Sequence, residues 1–162
     1  MFGLTGLGTF HTAISVVALI AGALCLLRDR AISLRTAAGK VYVLGTAIVC
    51  ATGFGIFQHG GFGKPHALGI VTLVALAAAV MADAFGLFGR AGRYVAAIGY
   101  LATFFFHLIP AVAETTTRLP LGAPLLPNAE APVLQAATGC IMLAFLLCAG
   151  FKVRQMWRAP PS

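Results

Sequence analysis

Charge is what this sequence has least of. Only 9% of its 162 residues are charged, and just four of those are acidic. Soluble domains carry about a quarter of their residues as charges, so a water-soluble globule is excluded. Disorder needs low hydrophobicity and high net charge; here 60% of residues are hydrophobic and mean hydropathy is +0.96. Outside the first basic loop the acids are Asp83, Glu114 and Glu130, which leaves little material for paired-carboxylate hydrolysis. No Ser/His/Asp or Cys/His arrangement stands out, and no internal repeat is apparent. Gly53-x-Gly55 and Gly60-Gly61-x-Gly63 lack the preceding strand that a nucleotide-binding loop requires.

Long apolar runs are what the chain does have. A helix crossing the hydrocarbon core needs about 20 mostly apolar residues, and the few charges divide the chain into five such stretches. They predict helices over 8–27, 41–59, 66–87, 94–116 and 132–153, an all-α integral membrane bundle of five transmembrane helices. Residues 1–158 then form a single transmembrane domain, with 159–162 a short frayed tail. The first stretch reads as a retained span and not a cleaved signal peptide, because its basic residues follow it. Between the last two spans, Pro120, Pro124, Pro127 and Pro132 predict an extended loop over Thr115–Ala131. The four cysteines, Cys25, Cys50, Cys140 and Cys148, all fall inside spans and read as buried small apolar groups.

The net charge of +7 is a topological signal. Arg28, Arg30, Arg35, Lys40, Arg90, Arg93, Lys152, Arg154 and Arg158 fall on one side of the five spans, and only Lys64 and Arg118 on the other. The positive-inside rule makes the first side the cytoplasm, with the N-terminus outside and the C-terminus cytoplasmic. The lipid bilayer is the partner this distribution implies, and nothing in it points to nucleic acid.

Function is best sought among the histidines. On this topology His11, His59, His66 and His107 all lie in the outer half, a coincidence with about a one-in-eight chance if each chose a side independently. Each has a small neighbour one turn away: Ser15, Gly55, Gly69 and Thr103. In the fourth span one polar stripe runs Tyr100, Thr103, His107, Glu114 and Arg118, costly in lipid unless it meets partners or water. Gln58, Gln135 and Thr138 lie at comparable depth.

Neutral imidazole binds Zn, Cu and Fe, so the first expectation is a metal site of His11, His59, His66 and His107, with Glu114 as ligand or supporting acceptor. Haem b is a second form of it, with His11 and His107 as axial ligands. Either centre would act in redox, electron transfer or metal handling, with a membrane redox partner or a larger complex. If the chain is an enzyme, it is a membrane oxidoreductase. Two alternatives stand beside these: a cofactor-free scaffold subunit of a larger complex, and a small proton-linked transporter using His107 and Glu114. No spacing such as H-E-x-x-H decides among them. The plainer readings are solvated surface histidines at 59 and 66, a Glu114–Arg118 helical ion pair, and Asp83 paired near Arg90 and Arg93.

Two short motifs carry a resemblance. Gly39-Lys40-Val41-Tyr42-Val43-Leu44 after a basic loop, and His107-Leu108-Ile109-Pro110 followed by Glu114-Thr115-Thr116-Thr117-Arg118-Leu119-Pro120, resemble an uncharacterised family of bacterial multi-pass inner-membrane proteins, classed as a domain of unknown function. The likeness runs loosely over spans one to four. In that family a histidine often precedes the Gly-basic-x-Tyr element, where this chain has Arg35. The resemblance implies a bacterial inner membrane and supplies no activity. On the topology above, a reporter fused after residue 158 that is active only in the cytoplasm should be active. The same reporter placed at residue 122 should be silent.

Overall fold

The computed structural model describes residues 5–56 and 61–158. Five helices make up the fold: α1 (Gly6–Leu24), α2 (Ala37–Gly53), α3 (Lys64–Phe85), α4 (Gly92–Arg118) and α5 (Pro132–Arg158). No strand occurs among the described residues. α1 runs on through a π-helical turn, Cys25–Asp29, and α4 is preceded by a short 3₁₀ turn, Gly89–Ala91. With those extensions α1, α3, α4 and α5 are long and apolar enough to cross a membrane. α2 is shorter, with 17 residues, or about 26 Å at 1.5 Å per residue.

Local chemistry explains the boundaries. Thr36 starts α2 earlier than the apolar pattern suggests, its hydroxyl accepting from the Gly39 N–H at 3.0 Å. Gly39 has no substitute there, because a Cβ would lie 1.9 Å from the Ser33 carbonyl oxygen. α2 stops at Gly53, so Gln58 and His59, expected near its end, lie outside the described residues. At the other boundary of note, α4 runs past the expected end at 116 and takes in Thr117 and Arg118. Thr116 and Thr117 bond back to carbonyls of the preceding turn, and Arg118 pairs with Glu114. The helix ends only where Pro120 disfavours helical backbone at Leu119.

The helices alternate in direction, and two cross-links mark the ends of the bundle. Asp83 near the end of α3 accepts from Ser33 and Leu34 in the α1–α2 turn, and Lys152 of α5 donates to the Arg30 carbonyl in the same turn at 2.9 Å. This is the basic end. At the opposite, histidine-bearing end Lys64 and Glu130 pair at 3.1 Å across the surface.

α1 packs on α2, α3 on α4, α2 on α3, and α5 mainly on α4. Where lipid removes the hydrophobic drive between helices, close approach of small residues supplies the contact. A Cβ at Gly22 would stand 2.7 Å from the Tyr42 ring, at Gly45 3.0 Å from Ala18, and at Gly99 2.9 Å from Ala79. The outward faces carry exposed apolar side chains such as Leu27, Leu44, Val74 and Phe151. α5 buries only Leu134, so Cys140 and Cys148 are exposed on it, contrary to the expectation of four buried cysteines. Cys25 and Cys50, between packed helices, are buried. Gly22→Val and Gly99→Val should each destabilise the detergent-solubilised protein by about 1–3 kcal/mol through overpacking. Gly139→Val, where a Cβ meets nothing within 4 Å, should leave the thermal midpoint nearly unchanged.

Candidate functional site

Polar groups inside the bundle fall into two connected parts. The first lies toward the histidine end. His11, on the second turn of α1, places its Nδ1 3.0 Å from Thr52 Oγ1 of α2. The Thr52 hydroxyl donates its one proton back to the carbonyls of Ile48 and Val49, at 2.8 and 3.1 Å. With the proton so committed, the Thr52 oxygen accepts from a His11 Nδ1–H, the tautomer that leaves Nε2 as a lone pair. Gly53, and not the neighbour Ser15 on its own helix, makes the room for this ring: a Cβ at Gly53 would lie 3.4 Å from its Cε1.

His107 of α4 is 5% exposed, and neither of its ring nitrogens has a hydrogen-bond partner among the described residues. A buried polar group left this way costs about 1–3 kcal/mol and calls for an explanation. His11 is within electrostatic range of both His107 and Glu114. Glu114 is exposed at the mouth of this region and pairs with Arg118 on the same helix. Three residues beyond His107, Pro110 interrupts the helical ladder, depriving the Phe106 carbonyl of its usual donor.

His66 does a different job. Its Nδ1 accepts from the Gly63 N–H at 3.2 Å, closing the first turn of α3, and its ring stacks near Phe62 and Phe54, with centroids 5.2 and 6.4 Å away. Gly69 admits Phe54 to that stack. Among the described residues no three of His, Cys, Asp or Glu converge as a metal site. Of the expected ligands, His11 is within electrostatic range of His107 and of Glu114, His66 is engaged at the start of α3, and His59 is outside the described residues. Two hollows lie away from these residues, one in the apolar groove between α1 and α2 at Val17 and Val41, the other near Arg30 and Lys152.

The second part fills the middle of the bundle and the basic end. Tyr42 and Thr103, both fully buried, share a 2.7 Å hydrogen bond between α2 and α4. Thr46, one turn along α2 from Tyr42, is fully buried, and its hydroxyl has no hydrogen-bond partner among the described residues. Thr103 Oγ1 donates to the Tyr100 carbonyl at 2.9 Å, and the Tyr100 hydroxyl reaches Asp83 at 3.4 Å. Asp83 also accepts the Leu34 N–H at 2.9 Å and the Ser33 hydroxyl at 3.1 Å. It was expected to pair near Arg90 and Arg93; among the described residues it forms no ion pair with either, because the α1–α2 turn covers the carboxylate first.

Sequence reasoning found the α4 stripe of Tyr100, Thr103 and His107, and missed Tyr42 and Asp83 as its partners and the buried Thr46. The signal available for Tyr42 and Thr46 was their i, i+4 spacing in an otherwise apolar span. Comparison with family models, with curated proteins and with solved structures finds no match for this chain. Histidine ¹⁵N NMR in detergent should report the Nδ1–H tautomer for His11 in wild type. In Thr52→Val, which removes the acceptor, the ring should lose its strong preference for that tautomer.

Proposed function

We propose that this protein is a five-span membrane protein that moves protons, with His107 as the group that loads and unloads. The N-terminus faces outward, so the histidine end opens to the outside of a bacterial inner membrane. Nine basic residues at the other end against two support that orientation. The observation that carries the reading is His107 itself: a buried imidazole with neither nitrogen partnered among the described residues, set in an apolar bundle within electrostatic range of a second imidazole. Imidazole is the side chain whose proton affinity lies nearest neutrality, and intramembrane ionisable groups mark ion and proton pathways. On the outer side, His11 and then Glu114 provide the exchange with water.

A metal reading stands second, favoured by one feature. Thr52 fixes His11 through Nδ1 and leaves Nε2 as a donor, the way supporting hydrogen bonds orient metal-bound imidazoles. A single Cu, Zn or Fe ion would then join His11 and His107, with Glu114 as an oxygen donor. Haem b, with His11 and His107 as axial ligands, is the other form of this reading.

In proteoliposomes loaded with a pH-sensitive dye, the wild-type protein should pass protons down an imposed gradient. His107→Ala should reduce that flux about a hundredfold, the scale on which a proton-transfer group contributes. Equal flux from folded wild type and His107→Ala would sink the proton reading. Stoichiometric metal retained by wild type and lost from His107→Ala would establish the second reading in its place.

A further inference from the structure

The hollow at the basic end joins cationic and apolar surface, the two halves of an amphiphile's complement. It lies where the end of α1, the α1–α2 turn, α4 and α5 meet. Leu26, Ile32, Ala97 and Leu101 give it an apolar lining, and Arg30 and Lys152 complete it. Arg30 is exposed and Lys152 half-buried. These two residues are 122 positions apart in the chain, yet the Lys152 ammonium donates to the Arg30 carbonyl at 2.9 Å. That bond uses one of the three ammonium protons and none of the guanidinium's.

The carboxylates at this end are engaged elsewhere. Asp29 lies 3.8 Å from Arg28, and Asp83 accepts from Ser33, Leu34 and Tyr100. Among the described residues no ion pair involves Arg30 or Lys152. Two cations held side by side without a counter-charge repel each other and attract an anion. The surroundings say what kind of anion. α5 packs mainly on α4 and buries only Leu134, and Leu27 and Phe151, near the two cations in sequence, are 82% and 69% exposed. An anion here is therefore flanked by surface that faces lipid tails.

We infer that this hollow holds one anionic phospholipid from the leaflet at the basic end. Its phosphodiester sits on Arg30 and Lys152, and an acyl chain lies against Leu26, Ala97 and Leu101. Basic recesses between spanning helices suit such headgroups. Arginine offers phosphate a two-pronged fork and lysine a point charge. A free anion gains from the cations and leaves the apolar lining uncovered. A zwitterionic lipid brings its own ammonium against Arg30 and Lys152, which penalises it. The bound lipid also fastens α5 to the end of α1, a pair that the protein itself joins through little besides the Lys152 bond. This inference is independent of what the histidine end does.

Native mass spectrometry of the full chain in detergent tests this, with phosphatidylglycerol, phosphatidylcholine of the same acyl chains, or inorganic phosphate added. Wild type should retain one phosphatidylglycerol in preference to phosphatidylcholine, and inorganic phosphate should not displace it. Lys152→Gln removes the charge and keeps an N–H for the Arg30 carbonyl. It and Arg30→Gln should each weaken retention about fivefold, the effect of one cation at a lipid surface, while Lys152→Arg retains it. Arg158→Gln makes the same charge change on α5 outside the hollow and should bind as wild type does. Phosphatidylglycerol should also raise the thermal midpoint of wild type more than that of Lys152→Gln. Equal weakening by Arg158→Gln would mean diffuse attraction and overturn the site. Equal retention of phosphatidylcholine, or displacement by phosphate, would overturn the anionic lipid as its occupant. Should Arg30→Gln not fold, Lys152→Gln alone decides.

Discussion

The hydrogen bond between Tyr42 and Thr103 holds the centre of this protein. Both side chains are fully buried, and in an apolar bundle neither hydroxyl can fall back on water, so each needs the other. The bond ties α2 to α4 through their side chains, and small residues on the neighbouring helices make room for it. Gly22 of α1 leaves out a Cβ that would strike the Tyr42 ring, and Gly45 lets α2 close on Ala18. α1, drawn in by the same glycines, brings His11 to Thr52.

The same constraint separates the histidines by role. Imidazole is expensive to bury without partners, and His66 meets that demand locally, by closing the first turn of its own helix and stacking between two phenylalanines. His11 meets it across a helix interface through Thr52. His107 alone of the three has neither nitrogen engaged among the described residues. Thr46 of α2 shares that condition, its buried hydroxyl having no hydrogen-bond partner among the described residues.

Much of the architecture was legible beforehand. Apolar runs bounded by charge marked all five helices, since burying a backbone in lipid demands continuous internal hydrogen bonding and hence helix. The stripe on α4 was equally plain, because Tyr100, Thr103 and His107 recur at helical spacing on one helix. Boundaries were less so: Thr36 capping α2 and the threonine-rich last turns of α4 are local bonds that hydropathy does not register. The misplaced residues have a common cause. Cys140 and Cys148 were taken as buried because they lie in a span, but α5 packs chiefly on α4 and leaves most of its circumference outward. Asp83 was assigned to nearby arginines because they are close in sequence, whereas its actual donors come from a turn some fifty residues away.

Scarcity of charge determined, from the sequence alone, that the chain is helical and suited to a membrane. The spacing along single helices determined which faces are polar. What only the tertiary structure decided is which polar face meets which. Periodicity describes one helix at a time, while the Tyr42–Thr103, His11–Thr52 and Asp83–Tyr100 contacts depend on how far two helices approach and at what height. That approach is set by the few positions where a Cβ is missing opposite a ring or a small side chain. These contacts are therefore properties of the packed bundle, and no single span contains them.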